Sequence, residues 1–459
     1  MRPSAALSWL QHQWRQYRAG AIDQRIVGAG LTLATLSLLA KAVGLAREVV
    51  AAALFGTGDA IDAYVIATLV PVSLTGILCG AFQFAFIPAY RRALDRSGEA
   101  AAERLLAGAS AVAFSLLVLA TLAMVATAPF YLPWLTSGFD GPKRLLTESL
   151  LRWMAPYVVI NGVGYIWAGV LVARRSFALT ALVPATTPVV MTVLLLAEGR
   201  ELGVLALVLG ALAGMVIEAV LLGAGLRRQG VGLVPRWSAV GPELAAVGRE
   251  YAVMLAASLL MGGSLLIDQA MAASLDAGSV ASIGYASKLV AAVLHLATLA
   301  LGSAAAPYYA GLADEAGAAL IHRVRRHLLW VVAAAMPVTL VLILLSEPAA
   351  RLMFERGAFT AESTSQVAAV QAAYFAQLPA FAATVLLVRL AASLSLARLI
   401  LAMAALNLAL KLALNYWLMQ KLGAVGIAAA TLPATAICAG FLYGCMRRTE
   451  RPDAAPEIA

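Results

Sequence analysis

Charge and cysteine are both scarce in this 459-residue chain. Only 12% of residues are charged, and the three cysteines, Cys79, Cys438 and Cys445, match no disulfide or zinc framework. They read as small packing residues. The four histidines, His12, His295, His322 and His327, have no acidic neighbours at ligand spacing, so neither a metal nor another cofactor is expected. Long polar loops are also missing. A membrane-embedded glycosyltransferase or polymerase would need acid-base groups, most naturally in a large loop, and nothing here supplies them.

What the chain has in abundance is apolar sequence: 62% hydrophobic residues and a mean hydropathy of +0.87. A soluble core is excluded, and a polytopic membrane protein is indicated. Runs of about 20 apolar residues, each long enough to cross about 30 Å of hydrocarbon as a helix, recur throughout. They fall near 26–54, 62–88, 104–126, 150–173, 177–197, 202–226, 249–275, 281–309, 326–346, 364–389, 395–419 and 422–446. Unbroken apolarity favours helices over the shorter alternating segments of a barrel. The expectation is an all-α polytopic protein with about twelve transmembrane helices, the weakest division lying at Arg174 and Arg175.

The formal charge of +9 does not point to nucleic acid, because the basic residues cluster in alternate loops. With the N-terminus cytoplasmic, 22 basic residues fall on the inner side and seven on the outer, among them Lys143 and Arg144. This positive-inside pattern, with an even number of spans, puts both termini in the cytoplasm. Residues 1–25 lack the apolar core of a cleavable signal and read as an interfacial helix or a tail.

Sliding the chain against itself by about 220 residues aligns Ala52 and Ala53 with Ala272 and Ala273, Gly58 with Gly278, and Leu69-Val70 with Leu289-Val290. Such a parallel repeat predicts two six-helix lobes, 26–226 and 249–446, joined by a cytoplasmic linker at 227–248 and followed by a cytoplasmic tail at 447–459.

Four basic side chains lie inside the spans: Lys41 and Arg47 in the first, Lys288 in the eighth and Lys411 in the eleventh. A cation at a helix centre costs roughly 2.5–3.5 kcal/mol on insertion scales, so such residues usually face a cavity or a partner. They suggest an anionic cargo. A carrier of organic cations should instead present an acidic cavity. Lys41 and Glu48 differ by about 20° in azimuth, whereas Arg47 points about 120° from Lys41, so a bend near Gly44 or a wide cavity is needed to bring both cations to one ligand. The competing reading is that Glu48 neutralises one of them. Asp59 and Asp62 open the second helix with cap spacing, as Ser279 and Ser282 open the eighth. Asn407, Lys411 and Asn415 form one polar stripe, and Ser264 with Asp268 another. Either stripe lines the cleft, or Lys411 pairs with Asp268.

These segments include Gly44-Leu-Ala-Arg47-Glu48, Phe55-Gly-Thr-Gly-Asp-Ala-Ile-Asp62-Ala, Gly80-Ala-Phe with Phe86-Ile-Pro88, Tyr285-Ala-Ser-Lys288-Leu and Phe354-Glu-Arg-Gly357-Ala-Phe-Thr360. In order and spacing the chain resembles the MurJ (MviN) family of lipid II flippases, relatives of the Wzx polysaccharide flippases and the MATE exporters. The resemblance implies an inner-membrane flippase for a polyprenyl-diphosphate-linked glycan, working by alternating access among membrane lipids. It also implies that Lys41, Arg47 and Lys288 stand where the family has cavity arginines and that Asp62 matches its aspartate on the second helix. Some members are thought to hold sodium between acidic and amide groups of the second lobe, a role that Lys411 argues against here. The chain departs from the family in lacking arginine around Ser73 to Gly76, in having Ala291 where glutamate is usual, and in its twelve spans against fourteen. An exopolysaccharide or O-antigen repeat unit is therefore the alternative cargo, and a scaffold that no longer transports a further reading.

Overall fold

The computed structural model describes residues 39–237, 241–311, 318–394 and 396–449, and the described residues are helical almost throughout. The N-terminal segment 1–25 and the first part of the first span lie outside them. Helix α1 covers 39–55. It is followed by α2 (Asp59–Ser97), α3 (Glu99–Leu135), α4 (Gly141–Ala173), the short α5 (Phe177–Leu182), a 3₁₀ turn at Val183–Ala185, α6 (Thr186–Leu202) and α7 (Leu205–Arg228). After 229–241 come α8 (Pro242–Ala272), α9 (Ser279–Gly311), α10 (Ala318–Leu344), the short α11 (Ser346–Phe354), α12 (Ala361–Phe375), α13 (Leu378–Ser393), α14 (Ala397–Ala429) and α15 (Thr431–Thr449).

Among the described residues, eight helices are long and apolar enough to cross a membrane, or nine if the pair α12 and α13, bent by 40°, forms one span. The expected spans at 26–54 and 249–275 coincide with α1 and α8, and that at 422–446 with the end of α14 from Gly423 and with α15; α1, α8 and α15 are outside that count. Breaks fall where local chemistry demands them. Arg175 adopts φ 61° just beyond the end of α4, and Ser176 N–H reaches back to Leu171 O at 2.8 Å, so the chain reverses at the predicted division. Gly423, at φ 56° and ψ −135°, interrupts α14 where the last span was expected to begin.

Helix packing sorts the chain into two sets. In the first, α2 packs on α3 and α4, while α7 packs on α4 and α6. In the second, α9 packs on α12 and α13, α8 on α14, and α15 on α13 and α14. The sets meet chiefly along α2 and α8, with smaller contacts of α2 with α9 and α3 with α8. Helices α2 and α9 begin at residues 59 and 279, which is the 220-residue register read from the sequence. Small residues let the helices approach closely, as membrane helices without a hydrophobic driving force require.

Candidate functional site

A cavity of about 360 Å³ opens between the two sets. Helix α1 contributes Gly44, Arg47 and Glu48 to its wall, and α9 contributes Lys288. Tyr64, Thr68 and Ser73 enter from α2, Tyr157 from α4, Thr187 from α6 and Gln269 from α8. Thr68 and Lys288, partners in the 220-residue register, both face this space.

The charged centre is a triad. Arg47 Nη2 donates to Glu48 Oε1 at 2.6 Å, and Lys288 Nζ lies 3.2 Å from the same oxygen. One carboxylate thus holds two cations and leaves a net positive charge. The Lys288 side chain is 51% exposed and so remains free to move toward a ligand, whereas Arg47 and Glu48 are largely buried. Arg47 Nε is buried without a protein partner, as is Gln269 Oε1. An unpaired buried guanidinium donor is costly unless something accepts from it, and the planar fork suits a phosphate oxygen.

Lys41 is not part of this centre. Helix α1 runs through Gly44 without interruption, and Lys41 is exposed and absent from the cavity wall. Lys41 and Arg47 stand on different faces of α1, six residues apart, and only Arg47 reaches the cavity.

Asp62 also lies outside the triad. It is 1% exposed and sits where the two sets close against each other. Its Oδ2 accepts from Gly278 N–H and its Oδ1 from Ala281 N–H, both at 2.8 Å, so a carboxylate of the first set caps the positive N-terminal end of α9 in the second. Neither Asp59 nor Asp62 caps its own helix as the spacing suggests; Asp62 caps α9 of the other set instead. Gly58 begins α2 with no side-chain cap, and Asp59 instead receives Lys143 Nζ at 2.7 Å. Lys143 Nζ bonds Asp62 Oδ2 at 2.7 Å as well, and lies 4.2 Å from the Phe139 ring centroid. In the sequence Lys143 stands among outer-loop residues, and the only local signal is the helix start that Asp140, Gly141 and Pro142 give it.

Further bonds close the same end. Tyr285 Oη donates to Gly56 O at 3.3 Å, Ala358 N–H to Ala53 O at 2.8 Å, and the Thr57 and Ser363 hydroxyls meet at 2.8 Å. Gly278 permits the approach: its φ is 85°, and a Cβ there would stand 2.7 Å from Thr57 O.

Within the second set, Lys411 pairs with Asp268 rather than lining the cavity. Its Nζ donates to Asp268 Oδ2 at 2.7 Å and to Thr431 Oγ1 at 2.8 Å, while Asn415 Nδ2 reaches Asp268 Oδ1 at 2.6 Å. Tyr374 Oη adds a longer contact of 3.5 Å to the carboxylate. Lys411 and Asn415 are 2% and 0% exposed. Asn407 continues the stripe but faces Cys438 of α15, at 3.9 Å. A sodium ion does not fit between these acidic and amide groups, because the ammonium already holds the carboxylate and would repel a second cation. Among the described residues no group of three or more His, Cys, Asp or Glu side chains could hold a metal ion.

Comparison with known proteins agrees with this architecture. The family model for the lipid II flippase MurJ matches residues 51–458, beginning just after Arg47 and Glu48. A probable lipid II flippase MurJ of Rhizobium meliloti (strain 1021) is 26% identical over 438 residues, covering 90% of this chain and 79% of the relative. The lipid II flippase MurJ of Burkholderia cenocepacia is 28% identical over 360 residues, covering 75% and 69%. Among solved structures, lipid II flippase MurJ in an inward closed conformation superposes with a TM-score of 0.76 at 19% identity, covering 90% of this chain and 87% of that one. An inward-facing MATE family multidrug transporter of the MOP superfamily gives 0.71 at 13% identity, covering 91% and 98%. The fold is that of the MOP superfamily, and with the family match running through most of its length, the chain belongs to the lipid II flippase MurJ family.

Proposed function

We propose that the protein flips a polyprenyl-diphosphate-linked glycan, lipid II in the first instance, from the cytoplasmic to the periplasmic leaflet of the inner membrane by alternating access of two lobes. The observation that carries this reading is the Arg47, Glu48 and Lys288 triad, net positive in a cavity walled by both sets of helices, with an unpaired guanidinium N–H. A diphosphate takes the Arg47 fork and the mobile Lys288 ammonium together, and Glu48 keeps the two cations apart from lipid until it does. The polyprenyl tail stays in the bilayer, so cargo enters sideways between the lobes.

In this reading the end bearing Arg91, Arg174 and Arg227 faces the cytoplasm, with both termini on that side, which the charge asymmetry of the loops supports. The Asp62 and Lys143 closure then lies on the periplasmic side, which supports an inward-directed state. Opening that closure and closing the opposite end completes the exchange. Reconstitution tests the reading: vesicles containing the protein should move fluorescent lipid II between leaflets faster than empty vesicles, and absence of any acceleration would overturn it. One observation favours a second cargo. Ser73 lines the cavity in the stretch where the family resemblance places further arginine. A smaller positive charge suits a specialised glycan such as an exopolysaccharide or O-antigen unit. Depletion that abolishes a surface polysaccharide while growth continues would select that cargo.

A further inference from the structure

We propose that Glu218 is a proton-binding site that couples proton uptake to cargo binding, an inference resting on the anionic cargo proposed above. Glu218 lies in α7, ten residues from Arg228 and thirteen from Leu205, which on a rise of about 1.5 Å per residue puts it near the bilayer centre. A carboxylate at that depth normally has a basic partner or a function. Among the described residues, no ion pair includes it.

Local packing fixes where the carboxylate points. Gly210, Gly214 and Glu218 follow one another at four-residue intervals along a single face of α7. A Cβ on Gly210 would stand 2.8 Å from Met191 Cα, and one on Gly214 would stand 2.6 Å from Thr187 Cα, so α6 and α7 touch backbone to backbone along this face. The next position on the stripe is Glu218, and Thr187 Oγ1 donates to its Oε2 at 2.9 Å. Thr187 itself lines the central cavity, together with Tyr157, Met191 and Met215. The carboxylate is therefore one hydroxyl away from the space that holds Arg47 and Lys288.

The titratable groups facing it are the phenols of Tyr157 and Tyr165 on α4. Tyr157 Oη accepts from Asn161 Nδ2 at 3.1 Å. Helix α5 has no titratable group, the charged residues of α6 lie at its far end, at Glu198, Arg200 and Glu201, and those of α7 lie more than two turns away at Arg227 and Arg228. Glu218 is half-buried and no ion pair among the described residues offsets its charge, so the ionised form is expensive.

The chemistry is a single protonation. A proton from solvent forms an O–H bond on a carboxylate oxygen, one negative charge disappears, and a group that only accepted hydrogen bonds gains a donor. A diphosphate arriving in the same cavity is repelled by the ionised carboxylate and not by the neutral acid. Proton and cargo therefore favour each other's binding, and by linkage each strengthens the other by the same factor.

Two measurements on the full chain test this. In lipid vesicles, infrared difference spectra recorded across pH should contain a carboxylic acid carbonyl band that titrates in wild type and is missing in Glu218→Gln; identical spectra would overturn the proton site. Undecaprenyl diphosphate binding, followed by tryptophan fluorescence across the same pH range, should be stronger in Glu218→Gln than in wild type at high pH, by at least about fivefold, and equal at low pH. Comparing the two proteins cancels the titration of the diphosphate itself. A constant ratio would overturn the coupling. If neither protein nor Arg47→Ala binds the probe, the anionic-cargo reading fails, and the infrared titration still decides whether Glu218 takes up a proton.

Discussion

Replacing Lys143 with methionine should loosen the closed end without unfolding the protein. Lys143 bridges Asp59 and Asp62, both at 2.7 Å, and its side chain is 6% exposed beside an Asp62 that is 1% exposed. Removing one partner of a buried ion pair typically costs about 3–5 kcal/mol. Asp62 keeps its two backbone donors, Gly278 and Ala281, so the loss should sit near the lower end. Only the state in which α9 is docked onto Asp62 bears the full cost, because an opened end admits water to the carboxylate. A difference of about 3 kcal/mol between the two states shifts their ratio by roughly 150-fold, since about 1.4 kcal/mol is a factor of ten. Spin labels at Ser137→Cys and Ala277→Cys, both exposed positions flanking the closure, would report this in a background with Cys445 replaced by serine. Cys79 and Cys438 are buried. Wild type should give one short distance, Lys143→Met a second, longer population, and Lys143→Arg mostly the short one. An unchanged distribution in folded Lys143→Met would refute the idea that this ion pair holds the end shut.

Three further outcomes follow from named contacts. Lys411→Met should lower stability in detergent by about 3–5 kcal/mol, and pairing it with Asp268→Leu should restore most of the loss, since the charge left alone is then gone; thermal unfolding reads both. Because Lys411 supplies the cation of the second set, wild-type flipping should proceed at the same rate, within about twofold, in sodium and potassium media. A Gly278→Ala variant, forced to hold an L side chain at φ 85° against Thr57 O, should weaken the same closure and give the longer spin-label distance.

The sidedness has its own test. A cysteine at Ser97, at the proposed cytoplasmic end, should resist an impermeant periplasmic thiol reagent, while one at Ser137 should react. Reversed labelling would invert the direction assigned to transport.

Periodicity and composition carried the helical class, the break at Arg174 and Arg175, the start of the last span near Gly423 and the 220-residue register, because each is written in local backbone preferences or in apolar run length. The Asp268 and Lys411 pair was legible too, as two lone charges in otherwise apolar helices that need each other. What stayed hidden depends on distance along the chain. Asp62 looked like a cap for its own helix, but its partners are 81, 216 and 219 residues away. Lys41 could join Arg47 only through a bend near Gly44 or a wide cavity, and the sequence does not say which face of α1 looks into that cavity. Glu218 sits in a run of apolar residues, and only the glycine stripe and Thr187 fix which way it points.

The proposed mechanism requires Arg47 and Lys288 to bind an anionic headgroup together. Its most direct measurement is the affinity of undecaprenyl diphosphate for purified wild type, Arg47→Ala, Lys288→Ala and Lys288→Arg, alongside lipid II flipping by the same proteins in vesicles. Loss of a charge-assisted hydrogen bond of about 1.5–3 kcal/mol predicts roughly 10- to 150-fold weaker binding for each alanine variant, with flipping abolished and Lys288→Arg largely retained. Alanine variants that remain folded and both bind and flip as wild type does would contradict it.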